Sequence, residues 1–265
     1  MISSPSNPQI KRVTDLISHS KARKEEGVFV AEGLKMVMEA PPGSILQIYV
    51  SESLYEKILN GGELLETGTR LMQFPCEVVS DRLYKRMSDT QTPQGIMCIA
   101  ESPKADIDDL IAQHEGKDFR VLVLEGIQDP GNLGTMIRTA EGAGFDLVVA
   151  DDRTVDLYNP KVIRSTMGSI YRVPVVYCDD ILRPVSRLKA EGLMICAAHL
   201  KGTCSFKEES YSNRVAVLIG NEGKGLTDRA CSMADVLIKI PMQGRVESLN
   251  AAVAAALIMY EVSDR

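Results

Sequence analysis

Short apolar runs, only the last of which contains a charged residue (Lys239), recur along the second half of the chain. They occupy 121–124, 147–150, 194–197, 215–219 and 236–240, and helix-like segments alternate with them. Continuous apolar runs of this length are typical of strands that are buried on both faces. Such strands form a parallel sheet with helices on each side. The pattern therefore predicts an α/β domain over residues 118–265, an ordinary domain size.

The first hundred residues mix helical and strand-like patterns. Residues 8–20 place Ile10, Val13 and Leu16 on one helical stripe. Apolar runs predict strands at 28–30, 45–50, 77–79 and 95–100, with a helix at 34–39. Residues 101–117 are polar and acidic and contain Pro103, which predicts a linker carrying a short helix. We therefore expect a smaller α/β domain at 1–100, a linker at 101–117 and the larger domain at 118–265.

Composition and charge narrow the class of protein. Apolar residues make up 45% and charged residues 25%, as in soluble globular proteins. The N-terminus has no apolar signal-peptide core, and no apolar run is long enough to span a bilayer. The six cysteines form no CxxC pair, and no histidine cluster accompanies them. We therefore expect a cytoplasmic protein that binds neither membrane nor metal. The net charge of −6 does not favour a nucleic-acid partner, but the first 24 residues carry five basic side chains against one aspartate.

A glycine-rich segment follows the predicted strand at 215–219. Residues 220–225 read GNEGKG, and three glycines in six positions permit close approach of the backbone to a ligand. The spacing matches neither the dinucleotide fingerprint nor the P-loop. On this segment alone, a tight strand–helix turn and a phosphate cradle of a nucleotide-dependent enzyme both remain open.

Two further segments stand where strands of the sheet are predicted to end. Residues 127–138 read IQDPGNLGTMIR, in which Asn132 is predicted to cap a helix that carries Arg138. Residues 240–252 read IPMQGRVESLNAA and open an alanine-rich helix at 251–260. The small side chains of that helix predict close packing and deep burial. Ligands of open α/β sheets bind at the carboxyl ends of the strands, where all three segments lie.

In this order, the three segments resemble the motifs of the SpoU (TrmH-like) family of RNA ribose methyltransferases. The matching residues are Asn132, Gly134 and Arg138, then Gly220 to Gly223 with Gly225 and Leu226, then Ile240 to Met242 with Ser248 to Asn250. Residues 159–164 and 167–169 also resemble the family's middle stretch. Phe29 with Glu32 and Gly33 resembles the start of the L30e-like RNA-binding domain that precedes the catalytic domain in rRNA-directed members.

The resemblance implies a fold and a cofactor. Members of the wider SPOUT class have a parallel α/β sheet that ends in a trefoil knot, bind S-adenosylmethionine, and form a homodimer through the C-terminal domain. By analogy, the residues expected to contact the cofactor are Ala198, His199, Leu200, Gly220, Asn221, Ile240, Met242 and Leu249. The residues expected to act in catalysis are Asn132, Arg138, Glu222, Ser248 and Asn250.

The resemblance also implies a substrate. Methyl transfer to a ribose 2′-hydroxyl is expected, in 23S-type rRNA, with tRNA or a non-catalytic RNA-binding role as alternatives. The residues expected to contact RNA are Lys11, Arg12, Arg23, Lys24 and Arg164. Guanidinium groups do not deprotonate in proteins, so we expect Arg138 to clamp a phosphate and stabilise the emerging 2′-oxyanion. A role of Arg138 as the base remains the alternative.

Overall fold

A computed structural model describes residues 1–61 and 64–264 of the chain. Its helices are α1 (Pro8–Ser18), α2 (Ser20–Glu26), α3 (Leu34–Glu39), α4 (Glu52–Leu59), α5 (Leu65–Leu71), α6 (Asp81–Met87), α7 (Ile107–Gln113), α8 (Pro130–Gly142), α9 (Pro160–Thr166), α10 (Leu182–Ala190), α11 (Asp228–Met233) and α12 (Ala251–Ser263). Its strands are β1 (Val28–Glu32), β2 (Ile45–Ser51), β3 (Cys76–Val79), β4 (Ile96–Glu101), β5 (Phe119–Glu125), β6 (Leu147–Asp151), β7 (Val175–Cys178), β8 (Met194–Ala198), β9 (Cys204–Ser205), β10 (Arg214–Gly220) and β11 (Val236–Lys239).

The first compact unit comprises residues 1–103 together with 156–171. Its four-stranded sheet has the order β1-β4-β2-β3, in which β1 and β2 run antiparallel to β4 and β3 runs parallel to β2. Helix α1 covers this sheet with Ile10, Val13 and Leu16, as the helical stripe predicts. The smaller α/β unit expected ahead of the catalytic domain is therefore present.

Residues 156–171 belong to the first unit although they lie far along the chain. The ring of Tyr158 stacks on that of Phe29 at a centroid distance of 4.6 Å. The Tyr171 hydroxyl donates to the carbonyl of Met36 at 3.0 Å. Asp156 accepts from the buried guanidinium of Arg23 at 3.0 Å from Nε. Aromatic stacking and a buried ion pair thus hold this segment, which includes α9, in the unit.

The second unit comprises residues 104–155 and 172–265. Its seven strands are all parallel, in the order β7-β6-β5-β10-β8-β11-β9. The central strands are fully buried, as their continuous apolar sequence predicts, and this confirms the predicted fold class. The sheet order places the carboxyl ends of β8, β10 and β11 next to one another. The trefoil knot stays a prediction.

The last helix, α12, is less buried than its alanine content suggests. Ala252, Ala255 and Met259 are buried. The opposite stripe leaves Val253 49% exposed, Leu257 42% and Tyr260 49%. The expectation of deep burial is therefore wrong for one face, because an apolar residue that is exposed in one chain looks in sequence like a core residue. Within the described ranges, no helix is both long and apolar enough to cross a bilayer.

Candidate active site

A cavity of about 380 Å³ opens at the carboxyl ends of β8, β10 and β11. Its volume falls within the range of small-molecule sites, about 300–1,000 Å³. The residues expected to contact the cofactor all line it, namely Ala198, His199, Leu200, Gly220, Asn221, Ile240, Met242 and Leu249. Glu222 and Ser248, two of the expected catalytic residues, line it as well. The second and third motifs therefore share one cavity.

The loop after β10 closes one side of the cavity. A Cβ on Gly220 would lie 2.2 Å from the carbonyl carbon of Gly225, so only glycine fits there. The Asn221 side chain organises the turn, since its Oδ1 accepts from the backbone N–H of Gly223 at 2.9 Å. Its Nδ2 donates to the carbonyl of Gly126 at 2.7 Å. Both polar atoms of the Asn221 side chain thus hydrogen-bond to the backbone and stabilise the loop.

The segment 241–249 forms another side of the cavity. The side chains of Met242 and Leu249 are half-buried against it. Their backbone N–H and C=O groups hydrogen-bond to no other residue in the described part of the chain. These groups remain available to a ligand, and fixed backbone groups of this kind recognise the edges of a heterocyclic base well.

His199 stabilises the loop after β8. Its backbone N–H donates to the carbonyl of Ile238 at 2.9 Å. Its Nδ1 accepts from the backbone N–H of Lys201 at 3.1 Å, so this nitrogen carries a lone pair in this arrangement. The imidazole thus stabilises the backbone of the loop at the rim of the cavity.

Asn132 joins the first, second and third motifs in one hydrogen-bond chain. Its Oδ1 accepts from Nδ2 of Asn250 at 2.9 Å. Its own Nδ2 donates to Oε1 of Glu222 at 3.0 Å. Glu222 and Asn250 lie 90 and 118 positions along the chain from Asn132. The three motifs therefore meet at one end of the sheet.

The position of Asn132 within α8 differs from the prediction. The helix cap is Asp129, whose Oδ1 accepts from the backbone N–H of Asn132 at 2.8 Å. Pro130 begins the helix, because its fixed φ and missing N–H suit the first helical position. The prediction that Asn132 caps the helix is wrong, and this leaves its side chain free to link the motifs.

The Glu222 carboxylate is held by several donors. It accepts from the Asn132 amide and from the backbone N–H groups of Gln128 at 3.2 Å and Asp129 at 3.1 Å. Partial burial acts to raise the pKa of Glu222, but the hydrogen bonds together outweigh it and hold that pKa below its ordinary value. Glu222 is therefore ionised at neutral pH.

Arg138 lies outside this hydrogen-bond chain. It sits on the exposed face of α8 and does not line the cavity. Neither its guanidinium nor the hydroxyl of Ser248 has a hydrogen bond to any residue that the structure describes. Both groups are thus free to contact a ligand, as far as residues 1–61 and 64–264 are concerned.

The residues expected to contact RNA occupy different environments. Lys11 and Lys24 are exposed, and Arg12 pairs with Glu26 at 2.7 Å. Arg164 pairs with Asp89 at 3.0 Å, and its second terminal nitrogen is buried without a hydrogen-bond partner among the described residues.

Arg23 is placed differently from the expectation. It is only 5% exposed. Its guanidinium donates to the carbonyl of Leu16 at 2.6 Å and to Asp156. These internal partners occupy the guanidinium, and we do not retain Arg23 as an RNA contact.

Two buried carboxylates near the site were not singled out from the sequence. Asp151 is fully buried and accepts from the backbone N–H of Gly126 at 2.8 Å. Glu125 accepts from the backbone N–H of Thr227 at 2.8 Å. Arg153 pairs with both carboxylates. An acidic residue at the end of an apolar strand is the sequence signal that would have indicated these loop anchors.

Comparisons with known proteins agree with this architecture. The SpoU rRNA Methylase family model matches residues 120–260, and a model of the MRM3-like substrate binding domain matches residues 7–98. The chain is 34% identical over 263 residues to the 23S rRNA (guanosine(2553)-2'-O)-methyltransferase RlmP of Bacillus subtilis, covering 98% of each chain.

Solved structures give the same result. An AdoMet-bound rRNA methyltransferase from Sinorhizobium meliloti superposes with a TM-score of 0.85 at 28% identity, over 99% of this chain and 97% of that one. An RNA 2'-O ribose methyltransferase superposes with a TM-score of 0.81 at 29% identity, over 98% of this chain and 97% of that one. With the family model, the full-length relative and the three convergent motifs in agreement, the chain belongs to the SpoU rRNA methylase family.

Proposed function

We propose that this protein transfers a methyl group from S-adenosylmethionine to a ribose 2′-hydroxyl of 23S-type rRNA, in the cytoplasm. The observation that carries the proposal is the meeting of Asn132, Glu222 and Asn250 beside a cavity lined by the second and third motifs. The Bacillus subtilis relative is a 23S rRNA 2'-O-methyltransferase, which supports both the ribose oxygen and the rRNA substrate.

The cavity suits S-adenosylmethionine. Backbone groups of Met242 and Leu249, which have no partner in the described part of the chain, match the adenine edges, and the apolar side chains of Ile240 and Leu249 flank a ring. Gly220 keeps the wall of the cavity free of a side chain. The ionised Glu222 on the rim complements a positive sulfur. When bound, the cofactor supplies an electrophilic methyl group on that sulfur.

The protein's own residues then position the acceptor ribose and stabilise the negative charge that develops on its 2′-oxygen. Glu222 acts as a fixed anion that orients Asn132, because its low pKa makes it a poor carrier of a proton at neutral pH. Arg138, exposed and unpaired among the described residues, clamps a phosphate and stabilises the 2′-oxygen while the 2′-hydroxyl proton passes to solvent water. The free hydroxyl of Ser248 offers a hydrogen bond to the acceptor ribose.

The first unit supplies RNA binding. It contains residues 7–98, which match the substrate-binding model. The exposed Lys11, Arg12 and Lys24 contact phosphates there, with Arg164 as a further contact. Such contacts fix the register of the RNA.

A second copy of the chain covers the exposed face of α12. Val253, Leu257 and Tyr260 are spaced at i, i+4 and i+7, so they form one apolar stripe. Contiguous exposed apolar side chains on a soluble protein mark interaction sites, and this stripe supports a homodimer through the C-terminal domain.

The test is transfer of labelled methyl from S-adenosylmethionine to 23S rRNA transcribed without modifications. We expect label at a 2′-O-methyl nucleotide, identified by nuclease digestion and mass spectrometry, and its loss with Arg138→Ala. Label on a base, or transfer to tRNA alone, would contradict the proposal. Calorimetry with ATP and NAD tests the nucleotide-dependent alternative, for which S-adenosylmethionine would not bind.

A further inference from the structure

We propose that a groove between α1 and α6, in the first unit, seats one unpaired nucleotide of the RNA substrate. This inference rests on the proposed function and specifies where the substrate-binding unit holds the RNA. The groove has a volume of about 300 Å³, at the lower end of the range for ligand sites. That volume suits one nucleotide better than a larger cofactor.

The floor of the groove is apolar. Ile10 from α1 and Leu83 and Met87 from α6 form it, and these residues are 3%, 4% and 2% exposed. Ser18, at the end of α1, lines the wall with an exposed hydroxyl. An apolar floor with a hydroxyl at its edge fits a nucleobase, whose faces are apolar and whose edges carry hydrogen-bonding groups.

Two basic side chains line the groove, and two more lie on α6 outside its lining. Lys11 and Arg86 line the groove, and Arg82 and Lys85 extend from the same helix as Arg86. The three residues on α6 are spaced at i, i+3 and i+4 and therefore lie on one face. All four side chains are exposed and make no ion pair with the described residues.

One carboxylate, that of Asp15, is found among the described residues lining the groove. It contacts Nδ1 of His19 at 2.7 Å. The unpaired cations outnumber it, so the local charge is complementary to phosphate.

The combination favours RNA over a simple anion. A phosphate or sulfate ion needs cations but gains nothing from Ile10, Leu83 and Met87. A single-stranded nucleotide uses both features, because the base packs on apolar side chains while the phosphates pair with Lys and Arg. Both walls of the groove lie within residues 7–98, the part that matches the substrate-binding model.

The experiment measures binding of unmodified 23S rRNA, transcribed in vitro, to the full-length protein at several salt concentrations. Lys11→Gln and Arg86→Gln remove one cation each, and Ser18→Phe fills the groove without changing its charge. Lys57→Gln is the matched control, because Lys57 is an exposed lysine of α4 that makes no ion pair with the described residues. Thermal melting and the Kd for S-adenosylmethionine verify that each variant is folded.

We expect Lys11→Gln and Arg86→Gln each to raise the Kd for rRNA about four- to sixfold near 0.15 M salt. Each phosphate contact makes the association constant fall with salt concentration raised to a power of about 0.7–0.9, and losing one contact removes that factor. Each should also lower the slope of the salt dependence by about one. Ser18→Phe should weaken binding without changing that slope. The KM for rRNA should follow the Kd, and Lys57→Gln should bind as the native protein does.

Two results would overturn the inference. If the groove variants bind rRNA no worse than Lys57→Gln, the groove does not contact the substrate. If the two charge variants weaken binding but Ser18→Phe does not, the surface is basic but seats no nucleotide. Failure of the native protein to methylate rRNA is a separate outcome, and it would reject the proposed function instead.

Discussion

The side-chain amide of Asn132 lies between one neighbour that donates a hydrogen bond and another that accepts one. Its oxygen accepts from Asn250 and its nitrogen donates to Glu222, at 2.9 and 3.0 Å. Among uncharged side chains of this size, only an amide offers a donor and an acceptor on one planar group. The first motif therefore requires asparagine at this position, because the side chain must both accept from Asn250 and donate to Glu222.

Replacing Asn132 by aspartate tests this requirement. The change places a carboxylate against the ionised Glu222 and removes a donor, so we expect a loss of about 1–3 kcal/mol in the free energy of unfolding. Methyl transfer to rRNA should fall at least about tenfold, because 1.4 kcal/mol in the barrier corresponds to that factor. Asn60→Asp, at an exposed asparagine, adds the same charge and is the control. Equal activity of the two variants would contradict the assigned role.

The lowered pKa of Glu222 predicts a pH-dependent contribution to stability. A carboxyl whose pKa is lower in the folded than in the unfolded state stabilises the fold above its unfolded pKa of about 4.3, and this stabilisation is lost as the pH falls through the folded pKa. The difference in Tm between the native protein and Glu222→Gln should therefore be constant from about pH 6 to 8 and shrink below about pH 4.5. A difference that stays undiminished at acid pH would reject the explanation.

At this scale the sequence predicts which residues form the site but not every side-chain partner. All eight residues that the resemblance assigns to the cofactor line the cavity, whereas Arg138 does not. Arg23, by contrast, looks in sequence like its basic neighbours, yet it pairs with Asp156, which lies 133 positions away. A long-range partner of this kind has no local pattern, so the burial of Arg23 could not be predicted.

Among the structural elements, the loop after β10 depends most strictly on one residue. Gly220 faces the backbone of Gly225 and Leu226, and a Cβ there would lie 2.2 Å from either. A Cβ on Gly223 would meet only Oδ1 of Asn221, at an ordinary 3.6 Å. The two glycines of the same motif therefore have different tolerances.

Alanine substitutions at these two glycines test the difference. Gly220→Ala should displace the loop, cost about 1–3 kcal/mol of stability and abolish measurable binding of S-adenosylmethionine. Gly223→Ala should retain both properties within experimental error. Calorimetric titration and thermal melting are the measurements, and tight binding by Gly220→Ala would show that the loop tolerates a side chain.

The strands predicted for the large sheet match the structure closely, but its two edge strands were not predicted. Apolar runs identify β5, β6, β8 and β10, which are mostly buried, and also β11, in which only Ile238 is fully buried. Strand β7 is half-exposed and β9 has only two residues, so neither produces a clear pattern. The exposed apolar stripe of α12 is not predicted for a related reason, because an exposed apolar residue has the same sequence pattern as a buried one.

For the molecule as a whole, the exposed stripe of α12 predicts self-association. Leu257→Glu places a charge in the middle of that stripe and should convert a dimer into a monomer, as measured by sedimentation velocity. Leu59→Glu is the matched control, because Leu59 on α4 is 64% exposed and lies in the first unit. A native protein that is monomeric at micromolar concentration would reject the homodimer.

The chain enters the first unit twice, once with residues 1–103 and again with 156–171. No single cut can therefore release a complete first unit, because a cut near Pro103 separates Phe29 and Arg23 from their partners Tyr158 and Asp156. An engineer who wishes to exchange the first unit must replace both segments together. The same constraint applies to recombination between genes, which must transfer two separate stretches of coding sequence to deliver one working unit.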